Sequence, residues 1–346
     1  MPTGDRAEKR EWEDSLRRPI RAGTQTRREQ PDMSTQQTPD LSAALEAIAR
    51  QPPPPRMPPA SLGILVRTSP LLRRLVPTRL VVHRAERQGQ VLWEESPGER
   101  KQAISIIESI VAGTSRAEEV EKLARQYLIE SQIDTALSWQ PWSAQMDADS
   151  SALLGDIRSQ QRGMLLSACH LGAFYRSMHA FPAASRSHYT VAGPWLFAPP
   201  SHDYWGRRLA LWRKNALGHL MLSRGSFPLL RELLARGESV YLFFDLPGRH
   251  ETRFLGKPAM LADGSARLAF EADALIVPLR ARRAGHRVWV DIGTPLDPRE
   301  FSGVEALHDA LAALHERWIL ENPAAMADPN SFGWDDGAGP HAWIRP

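Results

Sequence analysis

From residue 150 onward, apolar and polar positions switch repeatedly between helical and extended periods. Segment 150–160 carries apolar residues at helical spacing and predicts a helix. Segment 163–169 is a short apolar run opened by glycine and predicts a buried strand. The same reading predicts a helix over 173–181, a strand over 188–193, a helix over 203–216 and a strand over 217–223. A helix at 226–236, a strand at 238–244 and a long loop follow. The chain then predicts a helix at 264–272, strands at 275–280 and 286–293, and a helix at 302–321. Such alternation implies an α/β fold: one domain with a mostly parallel central sheet flanked by helices. Helical periodicity at 99–111 and 115–131 adds N-terminal helical segments.

The flanks read differently. Residues 1–38 mix charges of both signs with Gln, Thr and Pro, lack periodicity, and read as a disordered extension. Met33 opens a stretch that looks like an ordinary N-terminus, so either Met1 or Met33 suits the true start. Residues 39–59 read as a short helix capped by Asp40, then a proline-rich linker at 52–55. The domain is placed at 60–325, and 326–346 reads as an irregular C-terminal tail. Within 61–87, apolar residues such as Leu71, Leu75 and Leu80 alternate loosely with Arg67, Arg73, Arg74, Arg79, Arg84 and Arg87. Pro70 and Pro77 break this stretch into short helices. A basic amphipathic segment of this kind suits an anionic membrane surface; core-packing helices with solvated arginines are the plainer alternative.

Charge narrows the classes of partner. The 346 residues carry a formal net charge of only +3, and arginine dominates the bases. Guanidinium suits bidentate recognition of phosphate or carboxylate. The sequence shows neither a basic stripe interleaved with aromatics nor a nucleic-acid motif, so nucleic acid is not an expected partner. The one cysteine, Cys169, excludes an intrachain disulfide and argues against a thiolate zinc site. There is no apolar run long enough to span a membrane, and the polar N-terminus does not read as a secretory signal. The expected location is cytoplasmic, peripheral on the inner face of the cytoplasmic membrane.

Candidate chemistry starts at His170. It ends the predicted strand 163–169 and precedes a predicted helix, a corner where open α/β sheets place their chemistry. Histidine titrates near neutrality and can act as a general base; simple capping of the helix is the bland alternative. Further along come Gly218 to Arg224, a strand ending in arginine, and Asp245-Leu246-Pro247-Gly248, a strand entering a Pro-Gly turn. Last comes Pro278, a proline inside an apolar strand, which suggests an edge or a bulge.

In order and spacing these blocks resemble the glycerolipid and lysophospholipid acyltransferase superfamily, and within it the lipid A biosynthesis lauroyl/myristoyl acyltransferase family. The first block, His-x4-Asp/Glu, corresponds to His170 through Tyr175. The second, Gly-x5-Arg, corresponds to Gly218 through Arg224. The third is the turn at Asp245, and the fourth ends at Pro278. Segments 253–259, 264–269, 233–237 and 115–131 add to the likeness, which covers roughly 60–325. The resemblance implies transfer of a fatty or polyketide-like acyl group from an acyl-carrier-protein or CoA thioester to a hydroxyl or amine. The carrier protein or CoA thioester is the implied partner and donor substrate, with no bound cofactor and no metal. His170 would be the base, Arg224 an anchor for an anionic group, and Arg249 and Arg253 further anchors.

Tyr175 departs from the pattern, because a phenol stays neutral at pH 7 and cannot offset an imidazolium. Three readings stay open. The acceptor is an amine that is already nucleophilic; another carboxylate, Asp203 or Asp245, reaches His170; or acyl transfer is lost and an acyl- or lipid-binding subunit remains. An acyl-thioester hydrolase is a further alternative. A literal His286-x4-Asp291 match reads as a decoy, since positions five apart on a strand face opposite ways. Cys169 reads as core for the same reason, pointing away from His170.

Overall fold

The computed structural model describes residues 43, 69–140, 143–181, 188–192, 219–222 and 225–327. The chain is an α/β protein with a mostly parallel central sheet flanked by helices. The strands are β1 (Gln145–Met146), β2 (Met164–Ala168), β3 (His188–Ala192), β4 (His219–Leu222), β5 (Ser239–Phe243), β6 (Pro247–Phe254), β7 (Lys257–Leu261), β8 (Leu275–Ala284) and β9 (Arg287–Ile292). The helices are α1 (Pro70–Leu75), α2 (Thr78–Glu95), α3 (Pro97–Val111), α4 (Val120–Leu137), α5 (Ala148–Ser159), α6 (Phe227–Ala235), α7 (Gly264–Ala272) and α8 (Val304–Glu321).

Among the described residues the sheet has seven strands in the order β1-β9-β8-β2-β5-β3-β4, with β8–β9 antiparallel and the other pairs parallel. β2 and β5 lie at its centre. Every residue of β2 is buried, which is why its sequence reads as a continuous run rather than an alternation. Its alternate residues serve two cores. Met164, Leu166 and Ala168 pack with Leu154, Ile157, Met178 and Tyr241 on one face. Leu165 and Cys169 join the larger core on the other face, with residues of α3, α4, α6, α7 and α8.

Four expectations need correction. The long loop after β5 contains a hairpin, β6–β7, closed by Leu255 and Gly256 with φ of 53° and 75°. Two successive positive φ values mark the tight turn that matches strand twist. Leucine is a poor advertisement for it, because branched residues rarely take positive φ. Here Leu255 is fully buried and its N–H donates to Glu316 Oε2 at 2.7 Å, so tertiary contacts hold the turn. Second, the helix expected at 173–181 is a 3-10 helix, Phe174–Ala180. Tyr175 and Arg176 tie it to the carbonyls of Asp134 and Leu137 at the end of α4.

Third, Pro278 lies on an interior strand, not at an edge. Its carbonyl accepts from Gly293 N–H at 2.9 Å, just past the end of β9, so the absent N–H costs one bond where pairing already stops. Fourth, the helix expected at 115–131 is displaced: a 3-10 turn at Ala117–Glu119 precedes α4, which runs on to Leu137. Residues 1–38 and the predicted helix 203–216 lie outside the described residues, as does all of the 39–59 segment except Ala43.

Candidate active site

β2 and β5 are parallel neighbours, with Ala168 opposite Phe243. The residues that follow each strand therefore leave the sheet side by side, about 4.8 Å apart. Alternation carries His170 toward the face of Leu166 and Ala168, and Asp245 toward the face of Tyr241 and Phe243. These are the same face. His170 Nδ1 lies 2.9 Å from Asp245 Oδ1. The backbone N–H of His170 donates to Asp245 Oδ2 at 2.8 Å. One carboxylate thus holds both the ring and the main chain of the histidine.

The rest of the surroundings fix the ring's plane. Phe243 stacks on it at 4.0 Å between centroids, 19° from parallel, and Phe174 meets it edge-on at 4.8 Å. The segment after the short turn at Pro323–Ala325 clamps the loop: Ala327 N–H donates to the His170 carbonyl and Gly172 N–H to the Ala325 carbonyl, each at 2.8 Å. Gly172 has a φ of 60°, and a Cβ there would lie 2.6 Å from the Ala281 carbonyl oxygen. Only glycine suits that corner. Asp245 has no exposed side-chain surface, while His170 keeps 13% of its own. A buried carboxylate therefore presents a partly exposed imidazole. With Nδ1–H donated to the carboxylate, Nε2 carries the basic lone pair.

Tyr175 does not take the acidic partner's place. Its hydroxyl donates to the Asp134 carbonyl at 3.1 Å, and its ring packs beside Phe174 and the cluster of Ala173, Ala281 and Val288. Of the two alternatives, Asp245 supplies the carboxylate; Asp203 lies outside the described residues, as do Gly218 and Arg224. Pro278 is buried, in register with Ser167 of β2. Arg249 and Arg253 are exposed on β6. Arg253 lines a groove of about 950 Å³ with Arg116, Thr252, Glu316 and Arg317, and neither His170 nor Asp245 is among its walls.

The decoys resolve physically. Asp291 is held by Arg280 and Arg282 at 3.1 and 2.7 Å. Cys169 is buried on the opposite face, and burial pushes its thiol well above the ordinary range, which disfavours the thiolate. Sequence reading missed the buried histidines of α8. His315 meets Ser167 Oγ at 3.1 Å and stacks on Phe244. His308 tilts against the same ring. Burial lowers the pKa of each to about 4. Their seven-residue spacing on an apolar helix face was the available signal.

No protein-family model matches the chain, and no curated protein does. Among solved structures it is similar to the 1-acyl-sn-glycerophosphate acyltransferase PlsC from Thermotoga maritima. The two share 14% sequence identity with a TM-score of 0.36, over 72% of this chain and 97% of that one.

Proposed function

We propose that the protein is an acyltransferase in which His170 is the general base and Asp245 orients it. The observation that carries this reading is the 2.9 Å contact between a buried carboxylate and a partly exposed imidazole at the carboxyl ends of two central strands. Nε2 removes the proton of an acceptor hydroxyl as its oxygen attacks a thioester carbonyl. The new ester bond forms and the C–S bond breaks. The proton then passes from the imidazolium to the departing thiolate. Asp245 holds the ring's tautomer and offsets the imidazolium charge, the task position 175 does not perform. The donor class is a fatty acyl thioester of a carrier protein or CoA, and the acceptor a lipid alcohol or amine. The carboxylate supports an enzyme over a purely binding subunit, because a binding role needs no base.

The assay measures thiol release from acyl-CoA and from acyl-carrier-protein thioester, with and without a panel of lipid alcohols and amines. Release that depends on an acceptor and disappears in His170→Ala supports the reading. Release that proceeds in water alone makes the protein a thioester hydrolase. Turnover that survives His170→Ala overturns the assignment.

The exposed apolar side chains of α1 and α2 support the peripheral location. Leu71, Leu75 and Leu80 are 73%, 77% and 61% exposed, and Arg74, Arg79, Arg84 and Arg87 are exposed beside them. The opposite side of α2, with Val82, Ala85 and Gly89, is buried, with Val82 and Ala85 in a cluster that includes Ile133 of α4. Among the described residues no helix is long and apolar enough to cross a membrane. The protein should pellet with anionic vesicles at low salt and release as salt rises, since each arginine near such a surface contributes about 1 kcal/mol. Equal pelleting with neutral vesicles, or none at all, would remove the idea.

A further inference from the structure

A second cluster lies on the other side of the sheet. His250 on β6 and His308 and Asp309 on α8 bring three potential ligand atoms within 4.8 Å of one another. Asp309 Oδ1 stands 3.6 Å from His250 Nε2 and 3.8 Å from His308 Nδ1. Two ligands on a tetrahedral ion with bonds of about 2.0–2.2 Å sit roughly 3.4 Å apart. A closure of a few tenths of an ångström by the exposed Asp309 side chain brings its two pairs to that spacing, and the two imidazole nitrogens, within 4.8 Å of each other, close the remainder by rotation of the half-buried His250 ring.

His308 adds an independent observation. It has no exposed surface, and among the described residues neither ring nitrogen has a partner within hydrogen-bond distance, Asp309 standing just beyond it. Buried polar groups are normally paired, and an unpaired one asks for an explanation. Thr252, on the same side of β6 as His250, donates to Asp309 Oδ1 at 2.9 Å. That bond turns the carboxylate toward the hairpin, as outer partners of metal ligands do.

We propose that His250, His308 and Asp309 bind a divalent transition-metal ion of the zinc class. Two imidazoles and one carboxylate suit Zn²⁺ or Co²⁺ better than Mg²⁺ or Ca²⁺, which favour oxygen ligands throughout. Three protein ligands leave a fourth position for water. The ion ties β6 to α8. Because β6 begins two residues after Asp245, it also braces the segment that delivers the carboxylate to His170.

The test uses tag-free full-length protein, stripped with chelator and exchanged into chelator-free buffer, then titrated with Zn²⁺ alone and with Co²⁺ alone. The expected result is one saturable equivalent of Zn²⁺, a visible Co²⁺ absorption band of tetrahedral intensity, and a rise in melting temperature. His250→Ala and Asp309→Ala should each weaken binding at least tenfold, and Thr252→Val less. Both histidine and aspartate variants alter the rim, so the test does not depend on whether a His308 variant folds. Zn²⁺ binding by the wild type no stronger than by the folded His250→Ala, Asp309→Ala double variant would overturn the proposal, assigning any binding to other histidines and leaving His308 as core packing.

Discussion

Asp245 and Phe244 are chain neighbours, yet they serve opposite sides of the sheet. Asp245 grips an imidazole with 13% of its surface exposed. Phe244, fully buried, stacks on His315 and tilts against His308, both of them buried. The residue type is the same on both sides, and the chemistry differs. A carboxylate partner and an opening to solvent suit one histidine to the proposed role of base. Burial is the main cause that lowers the pKa of the others. The contrast teaches that the partner and the exposure, not the imidazole, assign the role.

The largest effect should come from the pair itself. Asp245→Asn keeps the shape but removes the charge that steadies the imidazolium, and acyl transfer should fall by up to about 10⁴-fold in kcat. His170→Ala should fall at least as far. Phe244→Leu is the matching change on the other side, where it should cost about 1–3 kcal/mol in denaturant unfolding and leave kcat within a few-fold. A collapse of kcat in Phe244→Leu with stability unchanged would break the comparison.

Acid should act on the buried histidines next. Burial holds the His315 pKa at about 4, against an ordinary 6.5, with the charge of Asp245 opposing. Burial, with Arg158 adding to it, does the same to His188. As pH falls below about 6.5 the unfolded chain takes protons that the folded chain refuses until near pH 4. Stability is therefore complete above about 6.5 and declines toward 4. Melting temperatures from pH 8 to 4 should show this fall, and His315→Leu should flatten part of it. A wild-type profile with no acid slope would show that these histidines protonate freely in the folded state.

The smallest effect belongs to Tyr175→Phe. It removes one hydrogen bond to the Asp134 carbonyl, worth about 0.5–1.5 kcal/mol of stability, and should change kcat less than threefold. Tyr175→Asp should not raise the rate, because Asp245 already fills the carboxylate's place. A substantial gain in Tyr175→Asp would return the orienting task to position 175.

The legible parts of this molecule are those whose cause is local. Helix α7 falls on its expected limits of 264–272, and β2, β5, α5 and α6 fall within a residue or two of theirs, because burial on a sheet face or a helix stripe leaves a period in the sequence. His170 was legible for the same reason, as the first polar side chain after a buried strand and its cysteine. The β6–β7 hairpin was not, since its turn is held by Glu316 and by burial of Leu255 rather than by turn residues. Arg224 and Gly218 were equally visible in the sequence and lie outside the described residues.

By itself, the sequence determined the α/β class, the strand that leads to His170, and the absence of an acidic residue at position 175. Only the tertiary structure decided which carboxylate meets the imidazole. His170 and Asp245 are 75 positions apart, and nothing local couples them. They meet because β2 and β5 pair in parallel with Ala168 opposite Phe243, which sends both chain ends off the sheet at one level and on one face. The same pairing sends Cys169 and Phe244 to the other face, into the larger core, where Phe244 lies against the buried histidines of α8. Strand register, a property of two segments together, is written in neither segment alone.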